Sequence, residues 1–133
     1  MLKQEGVRPD AFVWTHAQGN TMVHYARAVR GGAWVRLNGL DNSNVSACAE
    51  TLLLMKESRF LPRTLLSHAA SWYDPTKSNS GPIDRDYTVL FKRLIPDPNK
   101  RGFTRKDWKQ TLVENPADTF GIDKPGDGPT VLD

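Results

Sequence analysis

Cysteine is nearly absent from this sequence, since Cys48 is the only one among 133 residues. A single thiol excludes an intrachain disulfide and with it the framework of a small secreted domain. Cys48 lies in an apolar-patterned run without a neighbouring base, so we expect a buried small hydrophobe and not a nucleophile. No run of about 18 apolar residues could span a membrane, and the charged residues soon after Met1 do not fit a signal peptide. We therefore expect a cytoplasmic chain with no membrane partner.

A concentrated patch of one charge is also missing. The net charge is +3, and acidic residues are interspersed with the basic ones. Nucleic-acid binding would be better supported by basic residues gathered on one face. The nearest candidate is the basic cluster between Lys100 and Lys109, which straddles a predicted helix start and fits a solvated surface. We therefore expect no nucleic-acid partner.

Short apolar segments alternate with polar loops in the first half of the sequence. The expected elements are strands at residues 11–15, 33–37 and 63–67 and helices at residues 21–30 and 44–58. Gly31 and Gly32 are expected to end the first helix. A strand, a loop and a helix thus follow one another twice, which is typical of β/α units that build a parallel sheet. The pattern predicts an α/β fold.

A long loop and a helix follow the third strand. Residues 68–85 are rich in Pro, Ser and Gly, and loops of this length are usually functional lids or binding loops. The apolar spacing of residues 86–95 predicts a helix. Pro96 and Pro98 are expected to end it, because proline lacks the backbone N–H that a helix interior needs.

Two more helical starts can be placed near the end of the sequence. Thr104 and Asp107 fit a capping box that opens a helix. Asn115 is expected to cap a further turn with Pro116 at its first position. Residues 123–133 follow no pattern, and we expect a disordered tail there.

Four segments resemble the phosphotriesterase-like branch of the metal-dependent amidohydrolases. They read WTHAQGNT, GAWVRLNGL, LLSHAASWYDP and GFTRKDWKQTLVENPADTF. Their order and spacing agree with that family over residues 1–122. The resemblance implies a partial TIM (β/α)₈ barrel, consisting of β/α units six to eight and a C-terminal helical extension. A complete barrel has about 250 residues, so its first five strands would come from elsewhere.

The resemblance also implies roles for individual residues. His16 falls on the strand-six histidine that is a metal ligand in the family. Asn38 falls at the end of strand seven, where many relatives carry Asp before Gly, and is expected at the substrate-binding mouth. Ala69 falls on the strand-eight aspartate that binds metal and takes the proton of the attacking water. Alanine can do neither, so no catalytic residue is assigned.

Two aromatic residues of the long loop complete the implied site. Trp72 and Tyr73 would lie above the strands, where they could line a substrate pocket or anchor the loop to the barrel rim. The family implies a divalent metal, zinc or manganese, but catalytic zinc sites normally use three protein ligands. His68 would face the helices by strand alternation, which leaves His16 either as one ligand of a shared site or as a satisfied strand-end histidine.

The implied activity is metal-dependent hydrolysis of phosphotriesters, lactones or related small-molecule esters. The chain alone is expected to be inactive, because most metal ligands of the family fall outside it. Three strands of a barrel would leave two free edges and an uncovered inner face, which favours association. The expected partner is a separate chain that supplies the missing strands, or further copies of this one. The alternative is a non-catalytic module that oligomerises or binds a small ligand.

Overall fold

The computed structural model describes Gly6, residues 8–68 and residues 86–121. Most of the expected long loop and the expected tail at 123–133 therefore lie outside the described residues. Within the described ranges, no helix is long and apolar enough to cross a membrane.

The described chain is built from three strands and five α-helices. In chain order these are β1 (Val13–Trp14), α1 (Met22–Arg30), β2 (Trp34–Leu37), α2 (Val45–Glu57), β3 (Thr64–Leu66), α3 (Pro96–Lys100), α4 (Arg105–Lys109) and α5 (Asn115–Phe120). Two 3₁₀ turns precede β1 and β3, at Pro9–Ala11 and Leu61–Arg63, and two π-helical turns precede α3 and α5, at Leu90–Leu94 and Gln110–Glu114.

The strands form a parallel sheet in the order β1-β2-β3, with β2 in the centre. Val13 pairs with Trp34, and Val35 pairs with Thr64. This arrangement confirms the predicted α/β class, and each strand lies within two residues of its predicted bounds. Because the described residues contain three strands, the eight-stranded barrel remains an expectation.

Alternation along β2 separates a helix-facing side of the sheet from an opposite side. Val35 and Leu37 are 0% and 1% exposed and belong to the core cluster, together with Tyr25 of α1. Successive residues of a strand point to opposite faces. Arg36 and Asn38 therefore point away from α1 and α2, on the side that would be the interior of a barrel.

The side of the sheet that points away from α1 and α2 is more buried than the expected uncovered inner face. Trp34 and Leu65 lie on it, and they are only 4% and 3% exposed. The guanidinium of Arg63 stacks 4.6 Å from the centre of the Trp34 ring. The indole Nε1–H of Trp34 also donates to the carbonyl of Asp10 at 3.1 Å. The expected uncovered inner face is thus not seen at these two positions.

Helix α1 ends at the predicted glycine pair. Gly32 adopts a φ of +94°, which glycine reaches without the steric penalty of a side chain. A Cβ on this residue would also come within 3.0 Å of the Pro9 side chain. The turn into β2 therefore depends on glycine at position 32.

The predicted helix end at Pro96 is wrong. The chain passes from the π-helical turn Leu90–Leu94 directly into α3, which begins at Pro96. The wider turn is closed by the Ile95 N–H, which donates to the Leu90 carbonyl at 3.0 Å. Proline is tolerated in the first turn of a helix, where its missing N–H would have no helical partner.

Asn115 has a different role from the predicted cap. Its side chain is buried, and its Nδ2 donates to the carbonyls of Leu61 and Thr64 at 2.7 and 2.6 Å. Its Oδ1 accepts from Gln110 Nε2 at 2.6 Å. Asn115 therefore fastens the C-terminal helices to the start of β3.

The predicted capping box at Thr104 and Asp107 is confirmed. The Asp107 carboxylate also accepts from Lys56 Nζ of α2 at 2.8 Å. Burial acts to raise the pKa of Asp107, but hydrogen bonds from Lys56 and Thr104 outweigh it and hold the pKa below its usual value. The cap thus doubles as a link between α2 and α4.

The single cysteine is a core residue, as predicted. Cys48 of α2 is 8% exposed and belongs to the core cluster. Burial raises the pKa of its thiol to about 12. Because the thiolate is the nucleophile, Cys48 is chemically quiet near neutral pH.

Candidate functional site

The carboxyl ends of the parallel strands place polar side chains along one edge of the sheet. His16 follows β1, Asn38 follows β2, and Ser67 and His68 follow β3. In open and closed parallel α/β sheets, ligands bind at this end of the strands. This edge is therefore the candidate functional site.

His16 and Asn38 act as one structural unit. The backbone N–H of His16 donates to Asn38 Oδ1 at 2.7 Å. Asn38 Nδ2 lies 3.5 Å from His16 Nε2, at the limit of a hydrogen bond. Asn38 is 5% exposed, whereas His16 is exposed. The buried amide therefore holds an accessible imidazole at the edge of the sheet.

The backbone of His16 is in an unusual conformation. Its φ is +52°, in the left-handed region, which costs an L-residue about 1–2 kcal/mol. Strained backbone of this kind persists only where surrounding contacts impose it, and it is enriched at functional sites. At His16, the hydrogen bond from its N–H to Asn38 Oδ1 is one such contact.

The loop after His16 is fixed by Tyr25 of α1. The buried Tyr25 hydroxyl donates to the Ala17 carbonyl at 2.8 Å, and Asn20 Nδ2 donates to the same oxygen at 3.0 Å. The Ala17 N–H donates to the Arg36 carbonyl at 3.1 Å, which ties the loop after β1 to β2. Burial raises the pKa of the Tyr25 hydroxyl, so it stays a neutral donor. These hydrogen bonds hold the backbone of Ala17, and they therefore fix the strand end from which the His16 side chain extends.

Sequence reasoning missed a second polar pair on the same face. Arg36 Nε donates to Ser67 Oγ at 3.1 Å and so joins β2 to the end of β3. The strand register explains the contact. Arg36 lies on the same side of β2 as Asn38, and it pairs with Leu65, which lies on the same side of β3 as Ser67. Without the strand pairing, however, nothing in the sequence connects Arg36 with Ser67.

His68 faces away from His16, as strand alternation predicted. Its Nε2 accepts from the Leu90 N–H at 3.2 Å, and its ring lies 6.4 Å from that of Tyr87. Burial lowers the pKa of His68, against the opposing effect of the Asp86 carboxylate. A neutral imidazole that already accepts a hydrogen bond is not available as a ligand at the sheet edge.

The residues described at this edge do not by themselves fit a metal centre. Across 8–68 and 86–121, no three His, Cys, Asp or Glu side chains lie close enough to hold a metal ion together. Three protein ligands are normal even for an open catalytic zinc site. Ala69, Trp72 and Tyr73 lie outside the described residues. His16 could therefore supply one ligand, and the others would have to come from elsewhere.

The fold matches segments of solved hydrolase structures. An amidohydrolase from Mycoplasma synoviae aligns with a TM-score of 0.72 and 22% identity, over 90% of this chain and 36% of that chain. The phosphotriesterase homology protein from Escherichia coli, solved with phosphate in its active site, aligns with a TM-score of 0.69 and 22% identity, over 90% of this chain and 41% of that one.

A third solved structure comes from the engineering of organophosphate hydrolysis activity from a weak promiscuous lactonase template. It aligns with a TM-score of 0.71 and 23% identity, over 90% of this chain and 42% of that one. No model of a protein family matches the sequence. No curated protein matches it either.

These likenesses establish the fold. The chain spans about two fifths of the length of the solved structures it matches. They confirm, at the level of the fold, the resemblance to part of a phosphotriesterase-like amidohydrolase that the sequence segments indicated.

Proposed function

We propose that this chain, which shares its fold with part of the phosphotriesterase-like amidohydrolases, is a C-terminal segment of a metal-dependent hydrolase. The observation that carries the proposal is the His16–Asn38 unit at the carboxyl edge of the sheet. An accessible imidazole on a strained, well-determined strand end is suited to ligation. It stands at the position that the family resemblance assigns to a metal ligand.

His16 contributes a single imidazole to a divalent metal site, with zinc or manganese as the metal. Such a metal, when bound, activates water for attack on an ester. The described residues do not complete the site, so no catalytic step is assigned to them. With Ala69 in place of the family's aspartate, the 133-residue chain is inactive by itself.

The substrate class is a small phosphotriester, lactone or related ester. Trp72 and Tyr73 line the substrate side of the mouth in this proposal. Asn38 is assigned to the same mouth and has a second role, since both ends of its amide face His16. It positions the imidazole as well as bordering the substrate.

The remaining strands come from polypeptide outside these 133 residues or from another copy. Supporting this, a groove of about 380 Å³ runs beside the edge strand β1, lined by Trp14 with Asn20, His24, Arg27 and Ala28 of the following loop and helix. Parallel edge strands with open backbone groups favour pairing with a further strand. The groove lies where a preceding β/α unit would pack.

The test combines metal content, molar mass and hydrolysis. The chain is purified alone and together with a polypeptide carrying the first five β/α units of a phosphotriesterase-like barrel. We expect less than one zinc per chain alone, and stoichiometric zinc in the complex. His16→Ala should remove most of that metal, whereas Glu50→Ala, at an exposed position of α2 away from the groove, should not.

Hydrolysis separates the two candidate functions. Ala69→Asp in the complex should produce turnover of an aryl phosphotriester or a lactone where the unchanged sequence gives little or none. A folded complex that binds no metal, or whose metal is insensitive to His16→Ala, would contradict the proposal. A folded Ala69→Asp complex without turnover would instead favour the non-catalytic module.

A further inference from the structure

Arg36 of β2 lies in the middle of the candidate site. Its backbone carbonyl accepts from the N–H of Ala17, the residue after His16, and its Nε–H donates to Ser67 Oγ at 3.1 Å. Ser67 directly follows β3, so this bond brings the guanidinium to the carboxyl edge of the sheet. A positive charge therefore lies at the edge where parallel sheets bind ligands.

This charge has no counter-charge within the described residues. No carboxylate in that part of the chain forms an ion pair with Arg36. Arg63, by contrast, stacks on the Trp34 ring and lines one groove with two carboxylates, Asp10 and Asp118. Arg36 is half-buried, and charges withdrawn from water are normally paired. A negative group from outside the described residues would complete the pairing.

The two Nη groups of Arg36 are available to such a group. Among the described residues, the guanidinium donates only through its Nε–H. Both Nη atoms also reach solvent, because the only buried side-chain nitrogen or oxygen without a partner in the described part of the chain is Gln18 Oε1. The Nη groups form the planar fork that binds two oxygens of a carboxylate or a phosphate.

The hydroxyl of Ser67 adds a second donor. A hydroxyl has one hydrogen to donate as well as lone pairs that accept. Because Ser67 Oγ accepts from Arg36 Nε, its own hydrogen can turn towards an anion held by the guanidinium. Ser67 thus has two roles, since it positions the guanidinium and donates beside it.

We propose that Arg36 and Ser67 bind an oxyanion, a carboxylate or a phosphate group, of the molecule that occupies the candidate site. The consequence for the substrate rests on the proposed function, because it narrows the ester to one that carries an anionic group. Binding of the oxyanion itself needs no metal and no further strands. It is therefore tested on the 133-residue chain, and its failure would not affect the metal-content test of the proposed function.

Acetate and acetamide are the first probes, since they have nearly the same shape and differ in charge. Each is titrated at pH 7 and constant ionic strength, because salt screens charges, and is followed by NMR of the backbone amides and of the Arg36 Nε–H. We expect saturable shifts at Arg36 and Ser67, with a dissociation constant about tenfold lower for acetate. Equal affinity of the two probes, or shifts confined to other residues, would overturn the proposal.

Inorganic phosphate, titrated in the same way, distinguishes the two kinds of oxyanion. Tighter binding of acetate would assign the fork to a carboxylate, and tighter binding of phosphate would assign it to a phosphate group. Both results support an oxyanion site. Saturable binding of neither anion to the folded chain would overturn it.

Substitutions locate the binding. Arg36→Gln should raise the dissociation constant of the tighter anion at least about tenfold, the effect of losing a charged hydrogen-bond donor. Arg30→Gln is the matched control, because it removes the same charge from an exposed position in the last turn of α1. Equal weakening by both substitutions would indicate an adventitious ion only, attracted by the net positive charge, and would overturn the proposal.

Ser67→Ala gives a second test that leaves every charge in place, so the proposal stays testable if Arg36→Gln does not fold. It removes the hydroxyl donor and the support of the guanidinium. We expect the dissociation constant of the tighter anion to rise severalfold. Binding unchanged by Ser67→Ala in a folded chain would contradict the joint site.

Discussion

The backbone N–H of His16 donates to Oδ1 of Asn38, 22 residues further along the chain, at 2.7 Å. This bond joins the ends of β1 and β2 at the edge where ligands bind parallel sheets. The residue that donates this bond has a left-handed backbone, with a φ of +52°. The geometry of the proposed ligand thus depends on a neighbour that is itself nearly buried.

Removing that neighbour should destabilise the fold. Asn38→Ala leaves the His16 N–H without its acceptor and opens a gap at a position that is 5% exposed. We expect the free energy of unfolding to fall by about 1–3 kcal/mol, measured by urea denaturation at pH 7. Asn42→Ala, in the exposed loop that follows, is the control and should change it by less than about 0.5 kcal/mol. Equal effects of the two substitutions would contradict the structural role of Asn38.

Glycine should relieve the strain at His16. His16→Gly removes the Cβ that the left-handed conformation disfavours, so the free energy of unfolding should rise by about 1 kcal/mol. Arg59 has a φ of +61° after α2, and Arg59→Gly should have a similar effect. His24→Gly, inside α1, should have the opposite sign and cost a few tenths of a kcal/mol, because glycine is a poorer helix former than histidine. A loss of stability in His16→Gly would show that the imidazole contributes more than the backbone strain costs.

Asn115 should be among the most sensitive positions of the C-terminal helices. Asn115→Ala removes the side-chain donor from the buried Thr64 carbonyl and leaves the Leu61 carbonyl with only the Thr64 N–H as its donor. We expect a loss of about 2 kcal/mol in the free energy of unfolding, because an unsatisfied buried group costs about 1–3 kcal/mol. Gln110→Ala removes only the bond to Asn115 Oδ1 and should cost about 1 kcal/mol. If both variants unfold at the same urea concentration, the anchoring role of Asn115 is wrong.

His68 should make stability depend on pH in mildly acidic solution. Burial lowers its pKa below the ordinary 6.5, so the unfolded chain takes up a proton at a pH where the folded chain does not. The contribution of neutral His68 to the free energy of unfolding is fully present above pH 6.5. It declines as the pH falls from 6.5 through the pKa of His68 in the folded chain. Protonation of His68 Nε2 also removes the acceptor of the Leu90 N–H and brings two donors together.

The measurement for His68 compares unfolding free energies at several pH values between about 7 and 5. His68→Gln keeps a side-chain acceptor but cannot titrate, so its stability should change less over that range. Ser46→Gln is the control, because Ser46 is exposed on α2 and the substitution changes no titratable group. A pH dependence that survives in His68→Gln would assign it to another group.

Local chemistry was enough to predict most of the elements. Gly32 ends α1 because only a residue without a side chain fits there, and Thr104 and Asp107 close their capping box over four neighbouring residues. Such signals lie within a few residues of one another, so a sequence displays them directly. The direction of His68 was also predictable, since alternation along a strand needs no knowledge of partners.

The errors have two sources, which are a turn geometry without a sequence signature and partners that are distant along the chain. Pro96 was read as a helix end because the wider π-helical turn before it leaves no mark in the sequence. Asn115 has the local pattern of a cap, but its donors reach carbonyls more than 50 residues away. Gln18 gave no signal at all, since an unpartnered buried oxygen is defined only by what surrounds it.

Strand β2 has only four residues, and its two sides serve different purposes. Leu37 belongs to the core cluster, Asn38 directly after the strand holds His16, and Gly39 makes room for the side chain of Gln18. Three consecutive positions are therefore constrained by three separate contacts. Few sequence changes there can be neutral, so mutational tolerance in this chain should be lowest at residues 37–39, although they occupy a loop boundary where proteins usually vary most.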